Sequence, residues 1–202
     1  MKNVKKIIVC SLFIVILMPG KKGISHPHVF IAQKLHVVFD ESGLSGIKVF
    51  WQFDDMFSSM IVNDHDLNRN GRFEPDEVLS VKENAFSYIS EFDYFFSVTI
   101  DGTPFKVNEV KDFNAQIIYG KLIYDFFIPC RVNATEQMKR LIIGSYDPNY
   151  YSAIYFVQNR PFSLFNAEPF ETYARIERDK DKLIYYDMVN PWTLFLNFRQ
   201  NQ

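Results

Sequence analysis

The chain has 202 residues, 48% of them hydrophobic and 17% aromatic, which suits a single domain able to bury a real core. Twenty-two Lys and Arg stand against 24 Asp and Glu, for a formal charge of −2. That balance excludes the strongly basic surface of a nucleic-acid-binding protein.

The first 25 residues read as an export signal. Lys2, Lys5 and Lys6 open it, Ile7 to Met18 is apolar, and Pro19 and Gly20 break the run. Gly23-Ile24-Ser25 then places small residues where a signal peptidase cuts. The apolar run is about a dozen residues, short of the roughly 20 that a spanning helix needs. An uncleaved membrane anchor is the competing reading. Val9 stands where a lipoprotein signal wants a small residue before Cys10, which argues against lipid anchoring. The expectation is a periplasmic or secreted protein. Cleavage after Ser25 removes five lysines and no acid, leaving 177 residues with a formal charge of −7. Cys130 is then the one remaining cysteine, so no internal disulfide forms. It ends the apolar run Phe126-Phe127-Ile128 and reads as a buried, inert thiol, with a thiolate metal ligand or an intermolecular bridge as the alternatives.

From His28 to Asp40, Val29, Ile31, Leu35, Val37 and Phe39 share one parity, as a half-buried strand requires. Glu41-Ser42-Gly43 turns the chain, and Ile47 to Phe53 returns as a second strand. Asp54 and Asp55 can cap a helix, with Met56, Phe57, Met60 and Ile61 on one face. A polar loop and a second helix follow, the latter with Val78, Val81, Ala85, Phe86 and Ile89 on one side. Beyond it the helical period disappears. Tyr94 to Ile100 and Phe105 to Val110 form a hairpin about Asp101-Gly102. Further strands are predicted over Ala115 to Tyr119, Leu122 to Ile128, Leu141 to Tyr146 and Tyr151 to Val157. Thr172 to Arg178 and Leu183 to Met188 make a final pair. The fold class is mainly β: a β-sandwich of residues 26–202 with a helix–EF-hand loop–helix insertion at about 54–92, and an α+β fold as the competitor.

The strongest motif is the twelve-residue run from Asp66 to Glu77, which matches the EF-hand calcium pattern. Calcium is a hard cation that takes oxygen donors. Asp66, Asn68 and Asn70 offer side-chain oxygens at alternate positions, and Gly71 permits the sharp turn. Arg72 offers its backbone carbonyl, Glu74 reaches the ion through a water, and Glu77 closes the shell with both oxygens. Phe73 anchors the loop to the core. A degenerate loop held by its own hydrogen bonds is the bland alternative.

A second candidate is the mature N-terminus. Cleavage after Ser25 makes His26 the leading residue, followed by Pro27 and His28. The His26 amine and ring nitrogen form a chelating pair, and His28 is a third nitrogen about 7 Å along the same side of a strand. Such donors suit copper, nickel or zinc over calcium. Pro27 lacks the amide proton that a square-planar amide site needs. His36 lies roughly 26 Å farther on by the same rise and is no ligand there. Asp54, Asp147 or Asp187 is a candidate further ligand, while His65 reads as solvated. Two solvated histidines near a chain end are the bland reading.

Taken in order, His26-Pro27-His28-Val29-Phe30, Trp51-Gln52-Phe53-Asp54 with Phe57, the loop ending at Glu77, Tyr94-Phe95-Phe96, Asp101-Gly102, and Tyr146-Asp147-Pro148 with Tyr150-Tyr151 resemble the DUF1007 family of bacterial periplasmic proteins. The resemblance spans nearly the whole mature chain. It implies a periplasmic component of an uncharacterised ABC-type transport system, in a nickel, cobalt or zinc context, and carries no catalytic residues over. The functional expectation is a metal-binding accessory protein serving a membrane metal transporter, with a structural calcium site and no enzymatic activity. The alternatives are a calcium-stabilised interaction module, a copper-dependent oxidase and an ABC solute-binding protein.

Overall fold

The computed structural model describes residues 27–201. The signal-like segment and His26 lie outside the described residues.

Alternation builds the first two strands. β1 (Val29–Asp40) buries every second residue, and β2 (Gly43–Phe53) pairs with it antiparallel, Leu35 facing Val49 and Val37 facing Ile47. Glycine is required after the turn, because Gly43 has φ +140° and a Cβ there would lie 2.4 Å from the Val132 carbonyl oxygen of the adjoining strand. β5 (Lys111–Ile118) and β6 (Lys121–Asn133) extend the sheet on the β2 side. β8 (Ser152–Phe156) and β9 (Phe162–Phe165) both add parallel to β1 on the other. The second sheet runs β10 (Phe170–Arg178), β11 (Trp192–Gln200), β7 (Lys139–Ser145), β3 (Phe96–Ile100) and β4 (Thr103–Phe105). The two sheets pack together, and Trp51 links them: its ring stacks on Phe96 of the second sheet at 6.1 Å and meets Phe126 of the first edge-on at 5.1 Å. The mainly β class is therefore correct. Cys130 lies in this core, where burial pushes its thiol up to about 11.

Between β2 and β3 sits the helical insertion: α1 (Asp55–His65), α2 (Pro75–Val81), a π turn at Lys82–Phe86 and 3₁₀ turns over Ser87–Phe95. Asp54 caps α1 by accepting the Phe57 N–H at Oδ1 (3.0 Å), while its Oδ2 accepts the Phe30 N–H of β1 (2.7 Å). Buried Ser58 accepts the Leu122 N–H (2.9 Å) and so clamps α1 to β6.

Three expectations need correction. The buried face of α1 is Ser58, Ile61 and His65, whereas Met56 and Met60 are 67% and 51% exposed. The Asp54 cap and the Ser58 anchor set the rotation of this short helix, against its apolar count. Residues 183–188 do not form a strand. Tyr185, Tyr186 and Asp187 have φ of 50°, 52° and 60°, and Asn190 ties the loop by donating from Nδ2 to the carbonyls of Asp179 (2.9 Å) and Lys182 (2.8 Å). The partner of β10 is instead β11, which the sequence reading missed along with β9. Finally, the hairpin after Asp101-Gly102 holds, but its second strand stops at Phe105, next to Pro104 on the sheet edge.

Candidate functional site

The loop between α1 and α2 is organised by its own polar side chains. Asp66 ends α1 and accepts the N–H groups of Asn70 (Oδ1, 3.1 Å) and Gly71 (Oδ2, 3.0 Å). Asn68 Oδ1 accepts from Asn70 N–H at 2.9 Å, and Asn70 Oδ1 accepts from Arg72 N–H at 3.0 Å. These two-residue turns fix the side-chain oxygens of alternate positions. Gly71 has φ +79° with open space where a Cβ would stand, so the need for glycine here is one of backbone conformation. The far end closes on the near end: Glu77 Oε1 accepts the Leu67 N–H (2.8 Å), and Oε2 accepts the Glu74 N–H (2.9 Å). Asp66 and Glu77 are only 6% and 4% exposed, and among the described residues neither is ion-paired with a basic side chain. Phe73 packs against the core, as its place in the motif requires.

Oxygen donors in this order fit the chemistry of a hard divalent ion. The fit has a limit at Glu74. Its carboxylate is taken up by Asn70 Nδ2 (3.1 Å) and Arg72 (3.7 Å). Among the described residues, no three His, Cys, Asp or Glu side chains gather as a metal-binding group.

The histidines are dispersed. The His28 N–H donates to the Tyr151 carbonyl (2.8 Å), and its ring lies 4.9 Å from that of Tyr151. His36 stands on the outer face of β1 beside Ser163 (3.2 Å), with its pKa lowered first by burial and then by Lys34 and Lys48. His65, expected to be solvated, is buried against Ser80 (3.0 Å) because it ends the inward face of α1. Of the carboxylates weighed as further ligands, Asp54 caps α1, Asp147 caps the turn after β7, and Asp187 falls in the left-handed 185–187 turn.

The insertion also roofs a cavity of about 320 Å³ that the sequence reading missed. Its floor comes from Val29, Ile31, Trp51, Phe53 and Tyr124 of the first sheet; its roof comes from Phe57, Ala85, Phe86, Ile89, Phe92 and Phe95. Asp147, Asn149, Tyr151 and Ser152 edge it. The roof ends in strained backbone, since Asp93, Tyr94 and Phe95 take φ of 51°, 55° and 61° in succession. Each such residue costs about 1–2 kcal/mol in a left-handed conformation. Asp147 is 4% exposed and accepts the N–H groups of Asn149 (2.8 Å) and Ser152 (2.9 Å). One signal in the sequence pointed here: Val29, Trp51, Phe53, Phe57, Phe95, Asp147 and Tyr151 all belong to the separated blocks that carry the family resemblance, and all line this one space.

Residues 10–182 match the model of a family described as "Protein of unknown function (DUF1007)", and the chain belongs to that family. An uncharacterized 15.5 kDa protein from the trpE 3' region of Spirochaeta aurantia is 26% identical over 104 residues, 52% of this chain and 74% of that protein. An uncharacterized protein of Haemophilus influenzae is 22% identical over 134 residues, 65% of this chain and 63% of that protein.

Proposed function

We propose, from the premise of DUF1007 membership, that this chain is an exported metal-binding accessory protein whose 66–77 loop holds a structural calcium ion. The observation that supports this reading is the pair of buried carboxylates, Asp66 and Glu77, which receive only backbone N–H groups. Buried charge is tolerated when it is paired or bound to metal. A divalent cation would balance both. Asp66, Asn68, Asn70, the Arg72 carbonyl and Glu77 would hold it, with Glu74 acting through water. Extracellular sites of this kind bind at about 10⁻⁴–10⁻³ M, so the ion is a staple and not a signal. Calorimetric titration of the mature chain with calcium, beside melting curves in calcium and in chelator, tests the reading. A chain whose heat of binding and melting temperature ignore calcium refutes it.

The second reading places copper, nickel or zinc on His26 and His28 and assigns the protein to a membrane metal transporter. It is supported by the anchoring of His28 on Tyr151, next to the strand end that Asp54 also grips. Mass spectrometry of the mature N-terminus, then titration of His26→Ala and His28→Ala variants with each metal, decides it. A chain that begins elsewhere, or binds equally well without both imidazoles, removes it.

A further inference from the structure

The 320 Å³ cavity lies at the small end of ligand pockets, which run to about 300–1,000 Å³. Packed sheets ordinarily close to near-crystalline density with few voids larger than a water. Here floor and roof rings meet only at the margins, Phe53 on Phe57 at 4.8 Å and Tyr124 against Phe86 at 5.8 Å, and the space lies between those contacts.

The charge of the lining selects the occupant. Among the described residues that line the cavity, Asp147 alone carries a formal charge. Its two oxygens take N–H donors from Asn149 and Ser152, and no Lys, Arg or His of the described residues pairs with it. Aromatic faces present negative potential and attract cations, most strongly where water is excluded. A carboxylate set among such faces repels anions and leaves a neutral ligand with nothing to answer its charge. Backbone strain at Asp93, Tyr94 and Phe95, in the same roof, is the kind that clusters at ligand clamps.

We infer that this cavity binds a small organic cation with an apolar body, an alkyl- or aryl-ammonium. The ammonium group sits by Asp147, and the body lies between Trp51, Phe57 and Phe86. The inference stands independently of either metal reading.

Trp51 reports on the site. The chain has two tryptophans, and Trp192→Phe leaves Trp51 as the sole tryptophan, excited apart from the tyrosines at the red edge of absorption. In calcium-containing buffer this variant is titrated with benzyltrimethylammonium, with neutral 4-phenyl-1-butanol and with anionic 4-phenylbutyrate. The expected result is a saturable change in emission, with the cation binding at least about tenfold more tightly than the alcohol and the anion without effect. Asp147→Asn brings the cation to the affinity of the alcohol. Because that change also touches a turn cap, Ala85→Phe, which fills the cavity from the roof, is the second variant: it abolishes binding while the melting temperature holds or rises. The proposal is overturned if no probe saturates in a cooperatively melting chain, if cation, alcohol and anion bind alike, or if Ala85→Phe leaves the affinity unchanged.

Discussion

In the sandwich, Leu35, Val37, Ile47, Val49, Leu122 and Phe126 are sealed from solvent, and each follows from the alternation of its strand. In the insertion between Asp55 and Phe95 the pattern is mixed: Ile61, Val81 and Phe86 are buried, but so are Ser58, His65, Asp66 and Glu77, while Met56, Met60 and Leu79 stand exposed. One region is held by apolar area, which is non-directional and tolerates exchange among hydrophobic residues. The other adds to its apolar contacts a set of donors and acceptors that must meet at set distances, so a single unmet carboxylate counts for more there than an extra methylene. The cavity lies on the seam between them, where neither kind of packing closes fully.

The largest blow to the comparison is a core truncation. Phe126 meets Trp51 and Phe86 at ring separations of 5.1 Å each, so Phe126→Ala touches sandwich and roof together. A loss of about 3–5 kcal/mol is expected in urea denaturation, the same with or without calcium. Calcium dependence in that loss would mean the two regions are not separately held. The next effect sharpens the contrast. With the proposed loop site, calcium at a hundredfold excess over its dissociation constant is expected to add about 2.7 kcal/mol. Glu77→Gln removes this increment, and hydrogen-exchange protection changes within residues 55–95 while β1, β2 and β6 keep theirs. Protection lost evenly across both sheets would contradict it.

Smaller is the loss of a single cap. Asp54→Ala frees the N–H groups of Phe57 and Phe30 at once, and a decrease of about 1–2 kcal/mol is expected in thermal melts. Asp54→Asn, whose single carbonyl oxygen can accept from only one of the two N–H groups, restores only part of it. The smallest effect belongs to the outer face of β1. Burial and the nearby Lys34 and Lys48 hold the His36 pKa below its ordinary 6.5. The unfolded chain therefore binds that proton more readily than the folded one. Stability is complete above the unfolded value and declines as pH falls through it. His36→Gln flattens the part of the stability–pH slope between pH 7 and 5 that this residue supplies; an unchanged slope assigns it elsewhere.

Period-two alternation in β1 and β2, the Asp101-Gly102 turn, the Asp54 cap and the Asp66–Glu77 spacing were all legible in the chain, because each is a local rule acting over a few residues. The run 183–188 misled by the same logic. Its Leu-Ile-Tyr-Tyr composition favours a strand, yet Asn190 hydrogen bonds and three left-handed residues hold it as a loop. Met56 and Met60 misled because helix rotation was set by Ser58 reaching Leu122, 64 residues away.

The order of residues alone thus determined the mainly β class, the place of the helical insertion and the turn chemistry of the 66–77 loop, since periodicity and local hydrogen bonding are read within one segment. Tertiary structure decided the parallel seating of β8 and β9 on β1, the choice of β11 as partner to β10, and the buried state of His65. It also decided the cavity. Val29, Trp51, Phe57, Phe95 and Asp147 come from distant parts of the chain, and only the closing of one sheet beneath its helical roof places them around a common space.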